Sequence, residues 1–157
     1  MTRITGASAV FTDLVLAIFR LHGHLMAEGD RLTEPFGLSS ARWKVLGAVQ
    51  VEGRPMTVAQ IARRMGLTRQ AVQRIAGDLE TGGFVEFIDN PDHRTAKLMR
   101  LTAEGERKYD DVTERYAQWA EKLTVGMTMD DLARTLGVVN ELEERLDRTP
   151  APRVTPS

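Results

Sequence analysis

The sequence predicts a mainly α-helical chain with one small β-hairpin, and three observations carry that reading. Apolar residues recur at three- and four-residue spacing through most of the 157 residues, the period of helices with one buried face. Two of these stretches are short and meet at Gly66, a residue able to make a tight turn. Between Phe84 and Leu101 the pattern changes to two runs of aromatic and branched residues around Asn90-Pro91-Asp92.

The first helix is marked by Leu14, Ala17, Ile18, Leu21 and Leu25, and Val10, Phe11, Val15 and Phe19 widen its apolar surface beyond one face. It is either an interior helix of a monomer or a helix sandwiched between subunits, and its N-terminal position favours the second. After Pro35 and Gly37, Ser39 caps a second helix to about Val49, with Ala41, Val45, Leu46 and Val49 inward. That helix stops near Gly53 and Pro55. Thr57 and Gln60 have capping-box spacing for a short third helix ending at Gly66, and Thr68 caps a fourth that runs to Gly82-Gly83.

Phe84–Ile88 and Lys97–Leu101 read as the paired strands of a hairpin with a charged tip. Thr102 caps a long fifth helix with a stripe of Tyr109, Val112, Tyr116, Ala120 and Leu123. Thr128 and Asp131 open a sixth, whose seam is Leu132, Leu136, Val139, Leu142 and Leu146. Pro150 and Pro156 mark a flexible tail from 149 to 157. The fold expected is a winged helix-turn-helix over residues 36–102, flanked by helical segments at 8–28 and 103–148, as one domain over residues 1–148.

Composition narrows the chemistry. With no cysteine, disulfides, thiolate metal sites and thiol redox sensing are excluded. The apolar run Phe11–Leu25 is too short for a bilayer and is broken by Asp13 and Arg20. It also lacks the basic start and cleavage site of a signal peptide, so a cytoplasmic protein without membrane contact is expected. The net charge of -1 is unlike a basic nucleic-acid binder, but its distribution is uneven. From Pro55 to Thr102 seven Lys or Arg face five Asp or Glu, whereas from Asp110 to Asp147 four face ten. The mildly basic centre is suited to phosphate.

Within Val58–Ile75, Ala62 allows two helices to approach, and Ile61, Met65, Leu67, Val72 and Ile75 fall toward a shared core. Thr68, Arg69, Gln70, Gln73 and Arg74 fall on the front and outer face of the second of these helices. Arg can pair with two acceptors on guanine and Gln with two atoms on adenine, and a Thr-capped helix start favours phosphate. On the hairpin tip Arg94 is suited to a narrow minor groove, with Asp92 to orient it through a forked ion pair. Arg64, Lys97 and Arg100 add candidate phosphate contacts. A solvated helix face and a surface ion pair are the plainer alternatives; the turn and the following hairpin together favour double-stranded DNA. A module that docks a protein instead is the competing reading that near-neutral charge permits.

These segments resemble a known family. Ser39–Leu46 (SSARWKVL), Thr57–Leu67 (TVAQIARRMGL), Arg69–Val85 (RQAVQRIAGDLETGGFV) and Pro91–Thr102 (PDHRTAKLMRLT) are similar to successive elements of the multiple-antibiotic-resistance regulator (MarR) family. The Asp-x-Arg wing followed by Leu-Thr and Gly105 is the most specific part together with the recognition helix. The resemblance implies an obligate homodimer through the first, fifth and sixth helices, bound to a pseudo-palindromic operator. It implies repression relieved by a small aromatic or amphipathic effector between the dimer and DNA-reading regions. Arg74, Asp92 and Arg94 match family positions, whereas Ala71, His93 and Thr95 depart from the commoner residues there and bear on the sequence read.

Trp43, Phe36, Arg20 and His24 are candidate effector-binding residues near the junction of the first two helices, and equally suit core and snorkelling roles. His22 and His24 point to different helix faces, and His24 with Glu28 makes only two ligands on one helix, so no metal site is expected. Ser39, Asp92 and His93 do not form a nucleophile, base and orienting group. The chain is therefore expected to be a DNA-binding transcription regulator without cofactor, and not an enzyme.

Overall fold

The elements appear in the predicted order with two additions, a 3-10 turn and a short strand. The computed structural model describes residues 5–149, and the chain runs α1 (Ala7–Thr33), a 3-10 turn (Glu34–Phe36), α2 (Ser40–Glu52), β1 (Met56–Thr57), α3 (Val58–Met65), α4 (Arg69–Thr81), β2 (Val85–Ile88), β3 (Leu98–Leu101), α5 (Ala103–Leu123) and α6 (Met129–Arg148). Most of the expected tail, 150–157, lies outside the described residues. Two compact units divide between Ala117 and Gln118.

In the first unit the core lies between α2, α3, α4 and the sheet. Val45, Leu46, Ile61, Val72, Ala76, Leu79 and Met99 are buried, and Val112 closes the core from α5. The sheet order is β1-β3-β2, all antiparallel, with Met56 opposite Met99 on one side and Phe87 opposite Met99 on the other. Strand β1 was not foreseen, because two residues are too short for an alternating pattern. Leu67, expected inward, is 42% exposed: it occupies the turn after Gly66, where its N–H donates to Ala62 O at 2.9 Å while its side chain points out.

Helix α1 reaches well past the apolar run read from sequence. With the 3-10 turn it spans Ala7–Phe36 and is long and apolar enough, by length and composition, to cross a bilayer, so the shortness of Phe11–Leu25 does not settle that question. Its final turn is instead built into the folded unit. Leu32 and Thr33 are buried, and Asp30 Oδ1 accepts from Ser40 N at 2.8 Å, satisfying a free donor at the start of α2. Upstream, Val10, Phe11, Leu14, Ile18, Phe19, Leu21 and Leu25 are exposed, Phe19 at 68%.

The second unit comprises the end of α5 and all of α6. Thr128 caps α6: its Oγ1 accepts from Asp131 N at 3.1 Å and donates to Asp131 Oδ2 at 2.6 Å. None of the residues of α6 is buried, and Leu136 is 60% exposed.

Candidate nucleic-acid interface

Local capping chemistry sets the two helices of the motif. Thr57 Oγ1 accepts from Gln60 N at 3.2 Å while Gln60 Oε1 accepts from Thr57 N at 2.8 Å, a complete capping box on α3. Gly66 ends α3 at φ 63, a backbone state that costs glycine nothing and other residues strain. Thr68 Oγ1 then accepts from Ala71 N at 3.1 Å and starts α4. Val72, Ile75, Ala76 and Leu79 are buried at three- and four-residue spacing, which fixes the rotation of α4. Thr68, Arg69, Gln70, Gln73 and Arg74 are consequently all exposed.

The wing is anchored at its base. Thr102 N donates to Phe84 O at 3.0 Å, Thr102 Oγ1 donates to Gly83 O at 2.7 Å, and Gly105 N donates to Thr102 Oγ1 at 3.1 Å. Gly105 is required by space: a Cβ there would lie 1.9 Å from Phe84 O. At the tip Asn90 Oδ1 accepts from Asp92 N at 3.0 Å and Asn90 Nδ2 donates to Ala96 O at 2.9 Å. Asp92, His93, Arg94 and Lys97 are exposed.

An open groove of about 660 Å³ lies between α3, α4 and the wing. Its walls include Thr57, Val58 and Ala59, then Arg69, Gln70, Gln73 and Glu80, and finally Phe87, Thr95, Ala96 and Lys97. The fold thus brings Arg69, Gln70, Gln73 and Lys97 to one site; Thr68, Arg74, Asp92 and Arg94 are not among its walls. Glu80, Thr95 and the start of α3 were missed as site residues, since no local pattern marks a residue whose role depends on the packing of distant segments. Asn90 was legible only as part of a turn.

Ion pairing separates the candidate cations. Arg69, Arg74, Arg94 and Lys97 make no ion pair among the described residues, so their charges are available to phosphate. Arg64 instead pairs with Glu52, and Arg100 Nε bonds Glu86 Oε1 at 2.8 Å across β2 and β3. Those two phosphate candidates are therefore already engaged within the chain. The forked Asp92–Arg94 pair expected from sequence is not formed; the Asp92 backbone is turned by Asn90 instead. A hydrogen bond from Arg54 at 2.7 Å, opposed by burial and aided by the charges of Arg54 and Arg64, holds the Glu52 carboxyl below its ordinary value.

The four candidate effector residues have different immediate neighbours. Trp43 packs against Tyr116 with ring centroids 5.3 Å apart, and Lys108 Nζ lies 5.9 Å from the centre of the Phe36 ring. Trp43 Nε1 is buried without a hydrogen-bond partner among the described residues. Arg20 and His24 are exposed on α1, and among the described residues no hydrogen bond, ion pair or ring contact joins them to Phe36 or Trp43. Tyr116 and Lys108 are the neighbours that sequence reasoning did not select.

Comparison with known proteins agrees with this architecture. Residues 36–94 match the model of the MarR family. An uncharacterized protein of Mycobacterium tuberculosis is 45% identical over 102 residues, covering 65% of this chain and 70% of that protein. The uncharacterized HTH-type transcriptional regulator YwoH of Bacillus subtilis is 34% identical over 98 residues, covering 62% and 70%. Among solved structures, a mutant of MarR from E. coli complexed with operator DNA has a similar fold, with a TM-score of 0.69 at 21% identity, covering 83% of this chain and 96% of that one.

Proposed function

The chain belongs to the MarR family of transcription regulators, whose fold and family are not those of enzymes, and from that premise we propose that it binds an operator as a homodimer. Residues 36–102 are the DNA-binding region; 8–28 and 103–148 are the dimerisation helices. The observation that carries the proposal is the groove in which Arg69, Gln70 and Gln73 of α4 face Lys97 of the wing, its cations without a carboxylate partner among the described residues. Gln70, Gln73 and Arg74 read base edges in the major groove, while Thr68, Arg69 and Lys97 hold phosphate. Arg94 reaches the adjacent minor groove from the tip that Asp92 helps to shape.

Dimerisation is supported by the apolar residues left uncovered on α1 and α6, more than a lone chain ordinarily shows to water. A two-fold dimer presents two identical reading heads, so its site is pseudo-palindromic with half-sites about 34–36 Å apart. The regulator acts where chromosomal DNA is, in the cytoplasm, and represses until a small aromatic or amphipathic molecule displaces the operator-binding shape. Phe36 and Trp43 supply the aromatic walls of that effector site, with Arg20 and His24 as its polar edge.

Selection of bound genomic fragments, followed by titration of the recovered duplex at two salt concentrations, tests the reading. A recovered inverted repeat, with affinity falling steeply as salt rises, is the expected result. Failure to retain any genomic duplex in dilute buffer overturns it.

A further inference from the structure

We propose that Asn90 is a positioning residue for DNA binding, whose carboxamide ties the two limbs of the wing tip and so fixes where Arg94 is presented. The proposal rests on the reading of Arg94 as a DNA contact. Ile88 and Leu98 are the last partners of the β2–β3 ladder, so residues 89–97 all hang beyond it. A loop of that length is costly to order when it meets DNA unless something orders it beforehand.

Asn90 supplies that order with both ends of one amide. Oδ1 accepts from Asp92 N at 3.0 Å on the outgoing limb, and Nδ2 donates to Ala96 O at 2.9 Å on the returning one. Backbone bonds from His93 N to Asn90 O at 3.2 Å and from Ala96 N to His93 O at 3.3 Å complete a closed arch. Asn90 is half-buried, whereas 91–95 are exposed. Among the described residues no other side chain bonds across the tip. Arg94 has no carboxylate partner among them, so its aim depends on the backbone, and the backbone depends on Asn90.

The test is a double-mutant cycle on the full chain, using fluorescence anisotropy with a genomic duplex recovered by selection, over a series of salt concentrations. Asn90→Ala is expected to lose about five- to tenfold in affinity and to lower the salt slope toward that of Arg94→Ala, by up to about one. In an Arg94→Ala background the same change is expected to cost less than about twofold, because there is no contact left to aim. Asn90→Ser serves as a neutral second variant: its hydroxyl keeps the short turn to Asp92 but cannot span to Ala96, and it too must lose affinity at an unchanged unfolding midpoint. Equal losses in both backgrounds, or wild-type affinity in either Asn90 variant, overturn the positioning role alone. An Arg94→Ala chain that binds as tightly as wild type overturns the wing contact itself, and the positioning role with it.

Discussion

Arg74 and Arg94 are both exposed and, among the described residues, both free of carboxylates, yet they stand on different elements and are expected to fail differently when removed. Arg94→Ala should weaken binding to operator and unrelated duplex by similar factors and flatten the salt dependence, whereas Arg74→Ala should also cost about 1–3 kcal/mol of discrimination at one base pair. Competition titrations with single-base operator variants separate the two; unchanged base preference in both variants would contradict the division. Gly105 is a purely steric case. A methyl group 1.9 Å from Phe84 O forces α5 away from β2, so Gly105→Ala should cost about 2–3 kcal/mol in urea unfolding, and a neutral result would contradict the close approach. Glu52 gives a pH test. Its folded pKa lies below the ordinary 4.5, so its pairing stabilises above that value and the contribution is lost as pH falls through the folded pKa. The stability gap between wild type and Glu52→Gln should be full at neutral pH and close in acid; a gap constant from pH 7 to the acid limb would count against the pairing.

At the scale of elements, the starts of five helices rest on hydroxyls whose side chains accept from backbone N–H groups, those of Ser39, Thr57, Thr68, Thr102 and Thr128. Thr68→Ala is expected to lower stability by about 1 kcal/mol and to fray the first turn of α4, where Arg69 and Gln70 stand. Chemical unfolding gives the first effect and a proportionate loss of operator affinity the second. These caps were legible because each joins residues three apart, and local chemistry leaves little choice. The hairpin and the buried face of α4 were legible by the same local rules. Strand β1, the groove wall at Glu80 and the capture of Arg64 by Glu52 were not, since each depends on segments that only folding brings together. The Asp92–Arg94 pair shows the opposite error. Two opposite charges two residues apart suggested a contact, but that spacing alone does not turn the side chains toward each other, and the tip is shaped by the Asn90 amide bonding the Asp92 backbone.

For the whole molecule, the uncovered stripe on α1 makes association the central prediction. Replacing Leu14 and Phe19 with Asp should shift the protein to monomer in sedimentation and lower operator affinity by more than about tenfold, since two weakly held half-sites no longer act together. Its unfolding midpoint should also rise with protein concentration in the wild type alone. Monomeric wild type at micromolar concentration would refute the arrangement. A mechanical consequence follows from the seat of Gly105 on Phe84. Helix α5 extends roughly 30 Å from that joint, and backbone meets backbone there with no side chain as a cushion. Such a joint has no compressible layer to absorb displacement, so the first turn of α5 and the base of the hairpin move as one piece about it.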